Sequence, residues 1–226
     1  MPEAGLFTYL PGAEYDYFQG TRGHNTVLVD GRDQAEGDAR PGAFGTAGEA
    51  AWGSGTSGLY AGVEHRRSVV VLRRGLVLVW DSLSGSTSHA YQQTWHLPPG
   101  TRVEAASAGR VVGRDARGRA SVVVSQAGGL APRVVEGATS PMQGWSSSQY
   151  GKRVAAPALE YTRSGASTSF ATLLATGPYA AGAPSVRSEA IPSARRLVVC
   201  AGGAGEAVTL RGRPGEERVR VEPGGC

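Results

Sequence analysis

Asparagine occurs once in these 226 residues, at Asn25, and lysine once, at Lys152; there are four histidines and two cysteines. Two cysteines cannot frame a disulfide scaffold, and neither has metal-ligand spacing, so a disulfide framework and a cysteine metal cluster are both set aside. Cys200 ends the apolar run "RRLVVC" and reads as a small core residue, while Cys226 is the last residue. Apolar runs are short: "LVLVW" at 76–80 falls far below bilayer length, so no transmembrane segment is expected. The opening "MPEAGLFTYLPG" lacks a basic stretch followed by an apolar one, so no secretory signal is read in this chain. That leaves a cytoplasmic chain, or one whose natural start lies elsewhere. A Gly-rich phosphate loop, a nucleophile elbow, a Cys–His pair and an RNA-binding aromatic signature are also missing.

Glycine (34) and proline (13) are abundant without a fixed period, which excludes a collagen-like chain, and 40% hydrophobic content suffices for an ample core. The net charge of +4 and pI of 9.3 favour an anionic partner such as an acidic polysaccharide. Nucleic acid is not expected, because the arginines are scattered among acids and "RGR" pieces are too few.

Short runs rich in Val, Leu, Tyr and Thr recur between Gly, Pro, Asp and Ser, and no window sustains a capped 3.6-residue period. The fold class is therefore all-β, an antiparallel β-sandwich. "HRRSVVVLRRGLVLVWDSL" predicts a hairpin with strands near 65–72 and 76–81 turning at Gly75. "GRVVGRDARGRASVVVSQ" predicts a second, and further strands are expected at 25–30, 89–97, 132–136, 158–163, 169–175, 195–201, 206–210 and 217–221. Residues 36–58, rich in Gly and Ala with few β-branched residues, read as a long surface loop. The stretch 137–153 offers a break, but one domain over 1–226 is the preferred organisation.

The lone asparagine sits in "YFQGTRGHNTVLVDGRDQ", at the start of a predicted strand beside His24 and close to Arg22. His24 and Asn25 would point to opposite faces unless the strand begins after them. A histidine on such a rim can titrate near neutrality and meet a ligand, or it can tie down a loop. His65, His89 and His96 also head or end predicted strands, and three residues on one rim could hold a metal, although their separations match no local ligand signature.

The same segment resembles the "R..HNTV.VDG.dQ" stretch of the C-terminal β-sheet domain of heparinase II/III-like polysaccharide lyases. The resemblance continues through "YAGVEHRRSVVVLRRGLVLVWDSLSG", "HAYQQTWHLPPG" and "GWSSSQYGKRVAAPALEYTRSGASTSFATLL", roughly residues 7 to 200. It implies β-elimination on a uronic-acid-containing glycan such as heparan sulfate or alginate, in a cleft between this domain and an N-terminal helical toroid absent from this sequence. It further implies that His24 is the catalytic, cleft-facing histidine, with Arg22 and Asn25 as substrate-binding candidates. Some members hold a structural zinc in the β domain, for which His65 and His96 are the candidate ligands. The catalytic tyrosine belongs to the toroid, so Tyr15, Tyr17 and Tyr60 are expected to pack or line a rim, and little lyase activity is expected from this chain alone. The family's usual location implies a periplasmic or secreted protein. The competing reading is a non-catalytic β-sandwich with a glycan-binding or structural role.

Overall fold

The computed structural model describes residues 1–105, 109–191, 194–212 and 217–226. In chain order, the helix α1 (Ala13–Gln19) precedes β1 (Val27–Val29), β2 (Arg40–Ala47), β3 (Ala50–Tyr60), β4 (Val63–Arg73), β5 (Leu76–His96), β6 (Arg102–Ala105), β7 (Arg110–Arg114), β8 (Ala120–Gln126) and β9 (Arg133–Val135). Two short ribbons follow, β10 (Ala138–Thr139) with β11 (Met142–Gln143) and β12 (Trp145–Gln149) with β13 (Lys152–Ala155). The chain continues with β14 (Ala158–Thr176), a helical turn α2 (Pro178–Ala181), and β15 (Ser185–Ile191), β16 (Ala194–Ala201), β17 (Ala204–Arg211) and β18 (Arg218–Pro223).

The large sheet runs β2-β3-β4-β5-β14-β8-β7-β6, with β1 also pairing β5 and β9 also pairing β14. Its spine is the antiparallel pair β5 and β14, in register from Ala158 opposite His96 to Ala175 opposite Leu76, with one irregularity between Gly165 and Ser167. The predicted β4–β5 hairpin turns at Gly75, whose φ of 89° suits a residue without Cβ. A second sheet, β15-β16-β17-β18, covers one face of the first, which makes the antiparallel sandwich.

Period-two alternation separates the two cores. Leu76 and Leu78 point from β5 into the interface with Val186, Leu197, Val199, Val208 and Leu210 of the second sheet. Val79, Leu83, Tyr91 and Trp95 point the other way, packing with Val27, Val29, Leu159, Tyr161 and Phe170. That second face carries the polar groups described below.

Three expectations are corrected. Residues 40–47 and 50–60, which take up most of the stretch read as a surface loop and run two residues past its end, are β2 and β3. Gly and Ala are poor strand formers alone, but here both strands gain ladder partners, and Trp52, Thr56 and Tyr60 supply side chains at even spacing. The short helix α1 also escaped the periodicity reading, because it buries only Tyr17 and Phe18, against Ala4. Finally, Cys200 and Cys226 form a disulfide with Cα atoms 5.8 Å apart, fastening the C-terminal residues to β16.

Candidate functional site

The chain leaves α1 through a 3-10 turn, Thr21–Gly23, that delivers His24. Gly23 is demanded by close approach: a Cβ there would lie 2.6 Å from the Tyr17 carbonyl oxygen. Asp33 Oδ1 accepts the Thr21 amide at 2.7 Å, and the Gln34 amide donates to Thr21 Oγ1 at 2.8 Å. The two ends of "TRGHNTVLVDGRDQ" therefore hold each other, and His24 sits on a braced turn ahead of β1 rather than within it.

His24 is 49% exposed, with Nδ1 2.7 Å from Glu3 Oε2. A carboxylate on Nδ1 fixes the ring and leaves Nε2 as the nitrogen open to a ligand. Glu3 is itself held, because its neighbour Ala4 donates to the Gly23 carbonyl at 3.1 Å and accepts the Ser147 amide at 2.7 Å. Arg22, partly exposed, donates from Nη2 to the Gly31 carbonyl at 3.2 Å.

Asn25 meets the same Glu3 carboxylate as His24. Its Nδ2 donates to the Pro2 carbonyl at 2.8 Å and to Glu3 Oε1 at 2.9 Å, and its Oδ1 accepts the His96 amide at 2.7 Å. Both ends of the amide are thus occupied by protein groups, and the side chain ties Glu3 and β5 to the turn.

Beneath Asn25 lies Asp81, fully buried at the centre of a charged network. His65 Nε2 and Arg67 Nε lie 2.7 Å from its Oδ1, while Arg67 Nη2 at 2.9 Å and Gln93 Nε2 at 2.7 Å donate to its Oδ2. Burial pushes against the Asp81 charge, yet Arg67 and His65 hold its carboxyl well below the usual carboxylate range. Arg67 is a quarter exposed, stacks 5.5 Å over the Trp95 ring, and donates from Nη1 to the Asn25 carbonyl. The network continues through Gln93 Oε1, which accepts from Trp95 Nε1 at 2.9 Å and Thr172 Oγ1 at 2.9 Å.

His96 belongs to a different buried cluster. Its Nδ1 lies 3.3 Å from Asn25 Oδ1, and its Nε2 lies 3.4 Å from Gln143 Oε1 and 3.5 Å from the Tyr17 hydroxyl. Burial lowers its pKa, which favours the neutral ring. His65 and His96 therefore serve separate networks and do not share a ligand position. Among the described residues no group of three or more His, Cys, Asp or Glu could hold a metal ion. The donors present do not fit a zinc ion, because Asp81 is saturated and a guanidinium already supplies the positive charge. His89 pairs elsewhere, with Asp30 at 2.8 Å. Tyr17 and Tyr60 are packed inward, their hydroxyls donating to the Trp145 and Val27 carbonyls.

Beside Asn25 and Arg67 the sheet face opens into a hollow of about 520 Å³, whose lining includes Thr26, Gln34, Ser57, His65 and Arg67. Sequence reasoning missed Glu3, Arg67 and Asp81. Glu3 leaves no signal, since it meets His24 across 21 residues. Asp81 does leave one, as an acid interrupting the apolar run "LVLVWDSL", but its pairing with Arg67 depends on an irregularity between Val71 and Arg73 that a count outward from the Gly75 turn would miss.

The family model described as "Heparinase II/III-like, C-terminal" matches residues 1–189. Among solved structures, the heparan sulfate lyase HepC from Pedobacter heparinus superposes with a TM-score of 0.74 at 18% identity, over 99% of this chain and 34% of that one. A heparinase III gene product gives 0.75 at 15% identity, over 99% and 34%. Another heparinase III structure gives 0.73 at 12%, over 92% and 33%. This chain thus spans about a third of the length of the structures it matches. No curated protein matches it.

Proposed function

The chain belongs to the heparinase II/III-like C-terminal family, and from that premise we propose that it is the β-sheet domain of a lyase that cleaves uronic-acid-containing glycans by β-elimination. The observation that carries this reading is His24, half exposed on a braced turn with Glu3 2.7 Å from its Nδ1.

The reaction asks for three things. The uronate carboxylate must be neutralised so that the C5 proton becomes acidic, a base must take that proton, and the departing O4 must receive one. The electrons of the C5–H bond become the C4–C5 double bond as the C4–O4 bond breaks. In our reading Glu3 accepts Nδ1–H, so Nε2 of His24 faces the uronate and either takes the proton or, when protonated, stabilises the carboxylate. Arg22 spends one N–H on Gly31 and keeps others for a carboxylate or sulfate. Asn25 acts by position, holding Glu3 against His24.

The remaining groups come from a helical toroid domain packed against this one. That partner is supported by the exposed side chains of Tyr9, Leu10 and Tyr150, an apolar surface of the kind that marks an interface. Alone, the chain is expected to bind acidic glycan without turning it over. An exported location, periplasmic or secreted, goes with this reading and is supported by the Cys200–Cys226 disulfide, since such bonds persist in oxidising compartments. The test is unsaturated-uronate absorbance on a panel of alginate, heparan sulfate and hyaluronan. We expect product from a protein joining this chain to its helical domain and little from the chain alone; no product from the joined protein on any uronate glycan would overturn the reading.

A further inference from the structure

The hollow beside Arg67 is made by glycine. In the register of β3 with β4, Gly53 stands opposite Val69, Gly55 opposite Arg67 and Ser57 opposite His65, so these six positions share one face. Two missing side chains in a row leave a floor of bare backbone between Val69, Arg67 and His65. Packing does not force the absence. A Cβ on Gly53 would meet only the Phe44 Cβ, at 3.7 Å, and one on Gly55 only the Arg40 carbonyl oxygen, at 3.5 Å. Both are ordinary contacts, and neither glycine has positive φ. Glycine also weakens a strand interior, so its repetition here works against stability while keeping the space open.

The polar groups around that floor are poised rather than spent. Asp81 takes His65 Nε2, and among the described residues no partner meets Nδ1, which in the neutral ring carries a lone pair for a hydroxyl donor. Arg67 uses three of its five N–H groups on Asp81 and Asn25, and its side chain keeps a quarter of its surface exposed. Ser57 adds a hydroxyl, while Val69 and Leu59 supply apolar surface. Acceptor, donors, hydroxyl and apolar wall in a space of about 520 Å³ match a sugar ring, which presents hydroxyls at its edge and C–H bonds on its face. Charge does not dominate, since Asp81 balances Arg67.

We infer that this hollow is a subsite seating one pyranose unit of the glycan and reading it through its hydroxyls. The inference rests on the lyase reading for its choice of glycan. The hollow begins at Thr26, two residues from His24, and Arg67 joins both, through its bond to the Asn25 carbonyl. A ring held there would set the register of the chain that passes His24.

The experiment titrates the 226-residue chain with defined oligosaccharides of alginate, heparan sulfate and hyaluronan, by calorimetry and by backbone amide shifts. We expect saturable binding to at least one, with shifts at Gly53, Gly55 and Ser57. Gly55→Val and Gly53→Val should each weaken it by at least about tenfold, with melting temperature unchanged or raised, because they fill the space without straining the backbone. His65→Gln keeps a donor for Asp81 but moves the acceptor away from the position of the imidazole Nδ1, and should weaken binding several-fold. Absence of binding by the parent chain would overturn the subsite. So would glycine variants that bind like the parent, which is the result if the hollow receives a protein segment instead. The two readings fail separately: elimination by the joined protein with unaffected glycine variants removes only the subsite, whereas blocked binding without elimination removes only the lyase.

Discussion

Replacing Asp81 by Asn keeps the shape of the buried network and removes its only negative charge. The carboxylate contacts Arg67 twice, His65 once and Gln93 once, so the change leaves a guanidinium facing a neutral amide, one of whose ends now presents N–H to other donors. Stranding one partner of a buried pair costs about 3–5 kcal/mol. Arg67 retains 25% exposure and some screening by water, so we expect the lower end, about 3 kcal/mol. For a chain of this size that is a fall in Tm of about 6–12 °C, measurable by calorimetry at neutral pH. The pH dependence gives a second handle. The folded-state pKa of Asp81 is depressed, so its contribution is complete above the unfolded-state value of about 3.9 and is lost as pH falls from there toward the folded value. The stability difference between parent and Asp81→Asn should therefore hold constant from pH 7 to about 5 and narrow only below about 4. A difference under about 1 kcal/mol at pH 7, or one that closes between pH 7 and 5, would refute the network as described.

Other outcomes follow from the same geometry. Glu3→Gln should slow elimination by the joined protein while shifting Tm little, because the His24–Glu3 pair is half exposed and such pairs contribute about 0–1 kcal/mol; an unchanged rate would remove Glu3 from the site. Asn25→Ala leaves the His96 amide and the Pro2 carbonyl without their partner, and should cost about 1–3 kcal/mol in urea titration while also lowering the rate. Asn25→Asp should not rescue it, since a carboxylate would face Glu3; full rescue would contradict the bonding described. Cys226→Ser should cost about 3.5 kcal/mol, the loop-closure value for cysteines 26 residues apart, and the difference should vanish when both proteins are unfolded in reductant.

Much of the architecture was legible because strands with one buried face alternate. The hairpin at Gly75, the strand after the "RDARGR" turn and the run 195–201 all carry β-branched residues between turn residues, and each appears in the fold. β2 and β3 were not legible, because Gly and Ala leave no period-two signal; their partner strands, not their side chains, make them strands. The disulfide was hidden for a related reason, since the registers of β16 with β17 and of β17 with β18 together bring the C-terminus back beside Cys200. At the site, the braced turn bearing His24 could be found by resemblance, but the role of Asn25 could not. Strand alternation does not apply to it, because β1 begins at Val27, and its partners Pro2, Glu3 and His96 lie up to 71 residues away.

The account turns on His24. Its most direct test is the rate of unsaturated-uronate formation by the joined protein and its His24→Ala variant, on the uronate glycan the parent cleaves best, with Tm and glycan binding measured alongside. Loss of a group that transfers a proton or stabilises the developing charge should slow the reaction by about 10²–10⁴-fold. Folding should be unaffected, since the side chain is half exposed, and binding in the hollow should persist. A folded His24→Ala variant that eliminates as fast as the parent would contradict the account.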